Sequence, residues 1–161
     1  MSAVGPLLSH LERFARKKNG LRLRVIATTY MQATEYKAIL TLAGLPNTEV
    51  RINYETKHAR LHAKAYYFYR DTGFSTAYIG SSNLSGAALN TGLEWNVKVT
   101  EQESFELLKK CEVTFDSYWN DASFETFDPE DEECCRKLQS ALAAPGHRPH
   151  PESHISLVMR P

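Results

Sequence analysis

The chain has 161 residues, 42% hydrophobic and 24% charged, which suits one globular domain with a sizeable core and no membrane-length apolar run. Nineteen basic residues balance nineteen acidic ones, so net charge alone points to no polyanion partner. Three cysteines, Cys111 and the adjacent Cys134 and Cys135, make a poor disulfide framework; with no charged-then-apolar leader, a cytoplasmic location is expected.

Leu7, Leu8, Leu11, Phe14 and Ala15 recur at helical spacing before Asn19-Gly20, predicting an amphipathic helix over 6–18. "LRLRVIATTY" follows as a strand whose Val25-Ile26-Ala27 centre has the two-sided apolarity of a parallel sheet. Thr34 is a candidate cap for a helix running to Ala43, with Gly44 and Pro46 ending it. "NTEVRINY" alternates as a second strand, and strand–helix–strand order predicts an α/β domain, a mixed sheet flanked by helices. Aromatic-rich residues 61–70 and residues 74–82 read as paired strands around the turn "DTG". A short helix is expected over "SGAAL", then a strand in "LEWNVKVT". Phe105, Leu108, Val113 and Phe115 predict a long helix from Gln102 to Trp119, and residues 129–143 read as an acidic helix. "APGHRPHPESH" reads as a linker, and "ISLVMRP" as the opening of something further.

The hairpin carries the chemistry. Residues two apart on a strand share a face, so His62 and Lys64 point the same way, roughly 6–7 Å apart. Gly80 leaves room for a close neighbour, and Ser81, Ser82 and Asn83 bring hydroxyl and amide groups to a strand-to-helix junction, where free N–H groups favour anions. A nucleophile, a cation and neutral donors are what phosphoryl chemistry needs. The plainer alternative is a polar strand–turn–strand in which Asn83 or Ser85 merely caps the next helix.

Together "HAK" and "GSSN" resemble the phospholipase D superfamily signature, His-x-Lys, then Asp, then Gly-Ser-x-Asn, and the resemblance runs from about Leu21 to Thr100. The superfamily's Asp falls on Tyr69 here, and Asp71 lies in the turn, so neither is assigned a catalytic role. A branch containing restriction-type nucleases lacks that Asp and uses a Glu on the next strand, a position matched by Glu94 in "GLEWN". The stretch as a whole is similar to phospholipase-D-like domains fused ahead of bacterial superfamily 2 helicases, restriction-type proteins with an ATP-binding core.

The resemblance implies an endonuclease acting on DNA without metal or other cofactor. Catalysis would rest on His62, Lys64, Asn83 and Glu94, with Gly80, Ser81, Ser82 and Arg60 binding substrate. A single His-x-Lys implies a homodimer that shares one site, because the superfamily uses two such motifs. Residues 1–143 would form this domain, with its first strand lying ahead of Met1, and 144–161 would lead toward a helicase. No membrane partner is expected, and Cys134, Cys135, His147, His150 and His154 lack zinc spacing. Lys57, Arg60 and Arg70 near the motif favour a polyanion substrate despite the neutral total. The competing reading is a module that binds DNA or dimerises without cutting.

Overall fold

A computed structural model describes residues 7–16, 22–29, 34–55, 64–80, 96–143 and 155–160. In chain order the described elements are α1 (Leu8–Ala15), β1 (Arg22–Thr28), α2 (Tyr36–Ala43), β2 (Thr48–Asn53), β3 (Ala65–Phe68), β4 (Thr76–Gly80), β5 (Asn96–Thr100), α3 (Glu101–Trp119), β6 (Phe124–Phe127), α4 (Glu132–Ala143) and β7 (Ile155–Arg160). The strands form one mixed sheet in the order β5-β4-β3-β7-β1-β2-β6, so the expected α/β architecture is the observed one. β1 and β2 are parallel, with Val25 opposite Val50, and β3, β4 and β5 form an antiparallel meander.

Strand alternation sorts the core into two layers. Leu23, Val25, Ala27, Val50 and Ile52 meet Leu11 and Ala15 of α1, Ala38, Ile39 and Leu42 of α2, and Leu138 of α4 on one face. Ile26, Tyr67, Ala77, Val99 and Phe124 meet Leu108, Phe115 and Trp119 of α3 on the other. β1 is apolar throughout its centre because it feeds both layers.

The largest departure from expectation is β7. Residues 155–160, read as the opening of a further unit, lie at the centre of this sheet, antiparallel to β1 and parallel to β3. An apolar strand with two partners available on either side satisfies its backbone groups inside this domain. Residues 144–154, read as a linker, lie outside the described residues, as does the short helix expected over "SGAAL".

Smaller departures have local causes. Thr34 does not cap α2; its hydroxyl donates to the Thr28 carbonyl at 2.6 Å, tying the helix start to the end of β1, and Glu35 precedes the first helical turn. Gly44 does end α2, although its φ of −76° is an ordinary right-handed value. In α3, Phe105 and Val113 are 55% and 57% exposed. Val113 sits about 140° round the helix from Leu108 at 3.6 residues per turn, and Phe105 follows a break at Ser104, where φ and ψ are −149° and 57°. β6 has no expected counterpart, because four residues are too few for a periodic signal; it pairs antiparallel with β2.

The start of α4 is set by Asp131, whose Oδ1 accepts from the Glu133 N–H at 2.8 Å. That bond, with a second from the Cys134 thiol, holds the Asp131 carboxyl below its usual pKa. A depressed pKa contributes stability that is present above the unfolded value of about 4 and lost as pH falls through the folded one. Asp131→Ala is therefore expected to melt below the wild type at pH 7, with the gap closing below about pH 4, as followed by thermal melts across pH.

Candidate active site

The directions of the strands gather one set of ends at one edge of the sheet. β1 and β2 finish there, at Thr28 and Asn53. β3 runs opposite to β1, since it is parallel to β7 and β7 is antiparallel to β1, so Lys64, just before β3, starts at that same edge. Gly80 ends β4 and Asn96 begins β5, paired with each other. The Gly80 N–H donates to the Lys64 carbonyl at 3.2 Å, extending the ladder to the lysine.

Lys64 is 6% exposed. Burial of this extent takes water from a lysine, and hydrogen-bond acceptors must replace it. Beside it on the sheet edge, the Thr29 N–H donates to the Asn53 carbonyl at 3.1 Å. Asn53 is buried and fully engaged through its side chain. Its Nδ2 donates to Ser123 Oγ at 3.0 Å, and its Oδ1 accepts from the Glu55 N–H at 2.9 Å. These bonds fix the ends of β1 and β2 as a rigid wall. Thr28, Thr29 and Asn53 carry no motif, and only the presence of polar residues closing two apolar strands hinted at them.

Of the residues expected in the site, Lys64 and Gly80 are thus brought together across β3 and β4. Arg60, His62, Ser81, Ser82, Asn83 and Glu94 lie outside the described residues. Their described neighbours in the chain all stand at this edge: Lys64 two positions after His62, Gly80 just before Ser81, and Asn96 two positions after Glu94. Tyr69, at the superfamily's Asp position, packs against the α3-side core, and Asp71 is exposed in the β3–β4 turn at the far end of the hairpin. Neither is placed for chemistry at the Lys64 edge.

The opposite edge holds a cleft of about 550 Å³ lined by Arg22, Arg24, Asn47, Glu49, Trp119 and Asn120. Two charged residues of this lining, Arg24 and Glu49, are already engaged. Arg24 pairs with Asp116 at 2.7 Å, and Arg51 beneath it pairs with Glu49 and donates to the Trp119 carbonyl.

A mixed sheet between helix layers, with Lys64 and Gly80 joined at one edge, defines an α/β domain of the phospholipase D type. A family model described as "Cardiolipin synthase, PLD-like domain" matches residues 6–119, well over half the chain, and the chain belongs to that family. Comparison with curated proteins gives no match. Membership assigns chemistry at phosphodiester bonds in general terms. Among the described residues, no helix is long and apolar enough to cross a membrane.

Proposed function

We propose that this domain is a DNA endonuclease working through a phosphohistidine intermediate without metal, as a homodimer whose two copies complete one site. The observation that carries the reading is the buried Lys64, held across from Gly80, one residue from each of the His-x-Lys and Gly-Ser-x-Asn motifs. His62 attacks phosphorus, the bond to the leaving oxygen breaks, and His62 of the partner subunit gives that oxygen its proton. The same imidazole of the partner then takes a proton from water, which attacks phosphorus and releases His62. Lys64 and Asn83 hold the non-bridging oxygens, aided by Ser81, Ser82 and Arg60. Glu94 accepts from an imidazole N–H, fixing the tautomer and raising basicity. In this reading the domain serves a restriction-type helicase in a longer protein.

Tyr69 in place of the superfamily's Asp favours a second reading, a domain that grips DNA or dimerises without cutting. Supercoiled plasmid in EDTA separates them. Wild-type protein is expected to nick it and to yield, on quenching, an acid-labile, base-stable protein–DNA adduct joined through phosphorus, and His62→Ala is expected to do neither. Equal binding by both proteins, with no nicking by either in any buffer, would establish the non-cutting module.

A further inference from the structure

One polar atom in the interior has no use within the fold. Thr29 Oγ1 is the single buried side-chain oxygen or nitrogen among the described residues without a hydrogen-bond partner. Thr29 is only 3% exposed, so bulk water does not serve it. Its backbone is committed, through the N–H donated to Asn53, which holds the residue in place. A hydroxyl stranded in this way destabilises the folded state, and valine would fill the same volume without that cost. Thr28, one position earlier and equally buried, does not share the problem.

The position of Thr29 says what the hydroxyl is for. It lies just past the C-terminal end of β1, beside the parallel strand β2, and ligands of open α/β sheets bind outside such ends. Leu23, Val25 and Ala27 belong to the core layer of α1 and α2, so alternation carries Thr29 onto that face. Tyr66 and Phe68 pack on the same layer, and alternation carries Lys64 there too. Register across β7 sets Ala27 level with Ile155, and Tyr66 level with Leu157. Lys64 is therefore level with Ala27, and Thr29 lies one side-chain step further out. β1 and β3 are separated by one strand, about 10 Å at ordinary strand spacing. With the further offset of one side-chain step the two Cα atoms stand roughly 12 Å apart; a lysine stem spans about half of that, and an anion held by the ammonium bridges toward the hydroxyl on the other side.

We infer that Thr29 is a substrate-holding residue whose hydroxyl donates to a non-bridging oxygen of the phosphodiester, opposite Lys64. The inference rests on the phosphodiesterase reading for its substrate and adds a residue outside the superfamily signature. Ligand oxygen then supplies the acceptor that the fold withholds, and the hydroxyl is kept at some cost to stability for the sake of binding.

Three proteins test this: wild type, Thr29→Val and Thr29→Ser. Each is melted with and without millimolar inorganic phosphate and assayed on bis(4-nitrophenyl) phosphate. Thr29→Val is expected to melt a few degrees above wild type without phosphate. It should lose most of the phosphate-induced rise in Tm and show a KM raised about tenfold, the value of one hydrogen bond to a charged group. Thr29→Ser should keep the phosphate response. Three results overturn the inference: a valine variant that melts lower than wild type, which would make the hydroxyl structural; a valine variant with an unchanged phosphate response; or a serine variant that loses it. A wild type that responds to phosphate but hydrolyses nothing would strike the nuclease reading alone, since the melts report on Thr29 without any turnover.

Discussion

Lys64→Met is expected to lower kcat for phosphodiester cleavage by about 10²- to 10³-fold, the usual consequence of removing one donor that stabilises a developing oxyanion. Lys64 is the one proposed catalytic side chain that is both described and buried, at 6% exposure. In a site so shielded from water an ammonium acts at reduced dielectric, so its loss weighs more than that of a surface cation. Methionine keeps the stem and its packing and removes only the charge. Lys64→Arg is not expected to restore the rate, because a planar guanidinium does not fit where a compact ammonium is enclosed. Rapid-quench turnover of a short oligonucleotide, with urea unfolding as the folding control, measures both. A methionine variant within threefold of wild type would remove Lys64 from the mechanism.

The largest loss of stability is expected at Trp119→Ala, at about 4 kcal/mol, within the range for truncating a buried tryptophan or phenylalanine. Trp119 is 6% exposed and ends α3, where it does several jobs at once. Its ring stacks on Phe115 at 5.8 Å between centroids and 20° between planes. The guanidiniums of Arg24 and Arg51 lie 5.1 and 4.6 Å from the ring centre. Truncation opens a cavity under β1 and β2 and takes from two cations the π face over which they are placed. Trp119→Phe should recover much of the loss by refilling that space. Urea titrations give the difference directly, and a loss below about 1 kcal/mol would mean that the α3 layer collapses into the gap.

The two ends of the sheet have different uses. The Arg24–Asp116–Trp119–Arg51 group binds α3 to β1 and β2, and its charges are engaged in doing so. The Lys64 edge instead keeps an unsatisfied hydroxyl at Thr29. Folds carry such local costs where a ligand relieves them.

Much of this was legible in the residues. Val25-Ile26-Ala27 announced a strand buried on both faces, and β1 does feed two core layers. The "DTG" turn stands where expected because Gly73 has a φ of +78°, a conformation that favours glycine. His-x-Lys and Gly-Ser-x-Asn named a chemistry, since phosphate handling needs a cation and donors at short spacing. Local spacing thus outlined most of the elements, and the motifs' resemblance to a known superfamily pointed to chemistry at phosphodiester bonds. It could not determine pairings between residues distant in sequence. Nothing local says that Ile155–Arg160 inserts between β1 and β3 rather than opening a further unit, because an apolar strand fits any free sheet edge. Val113, about 140° round from Leu108, was legible as lying off that face, whereas which face of α3 packs inward depends on what lies beneath it. Thr29 passed unnoticed in "ATTY" for the same reason: a threonine at a strand end is ordinary until its buried hydroxyl proves to have no hydrogen-bond partner, and only the tertiary structure shows that.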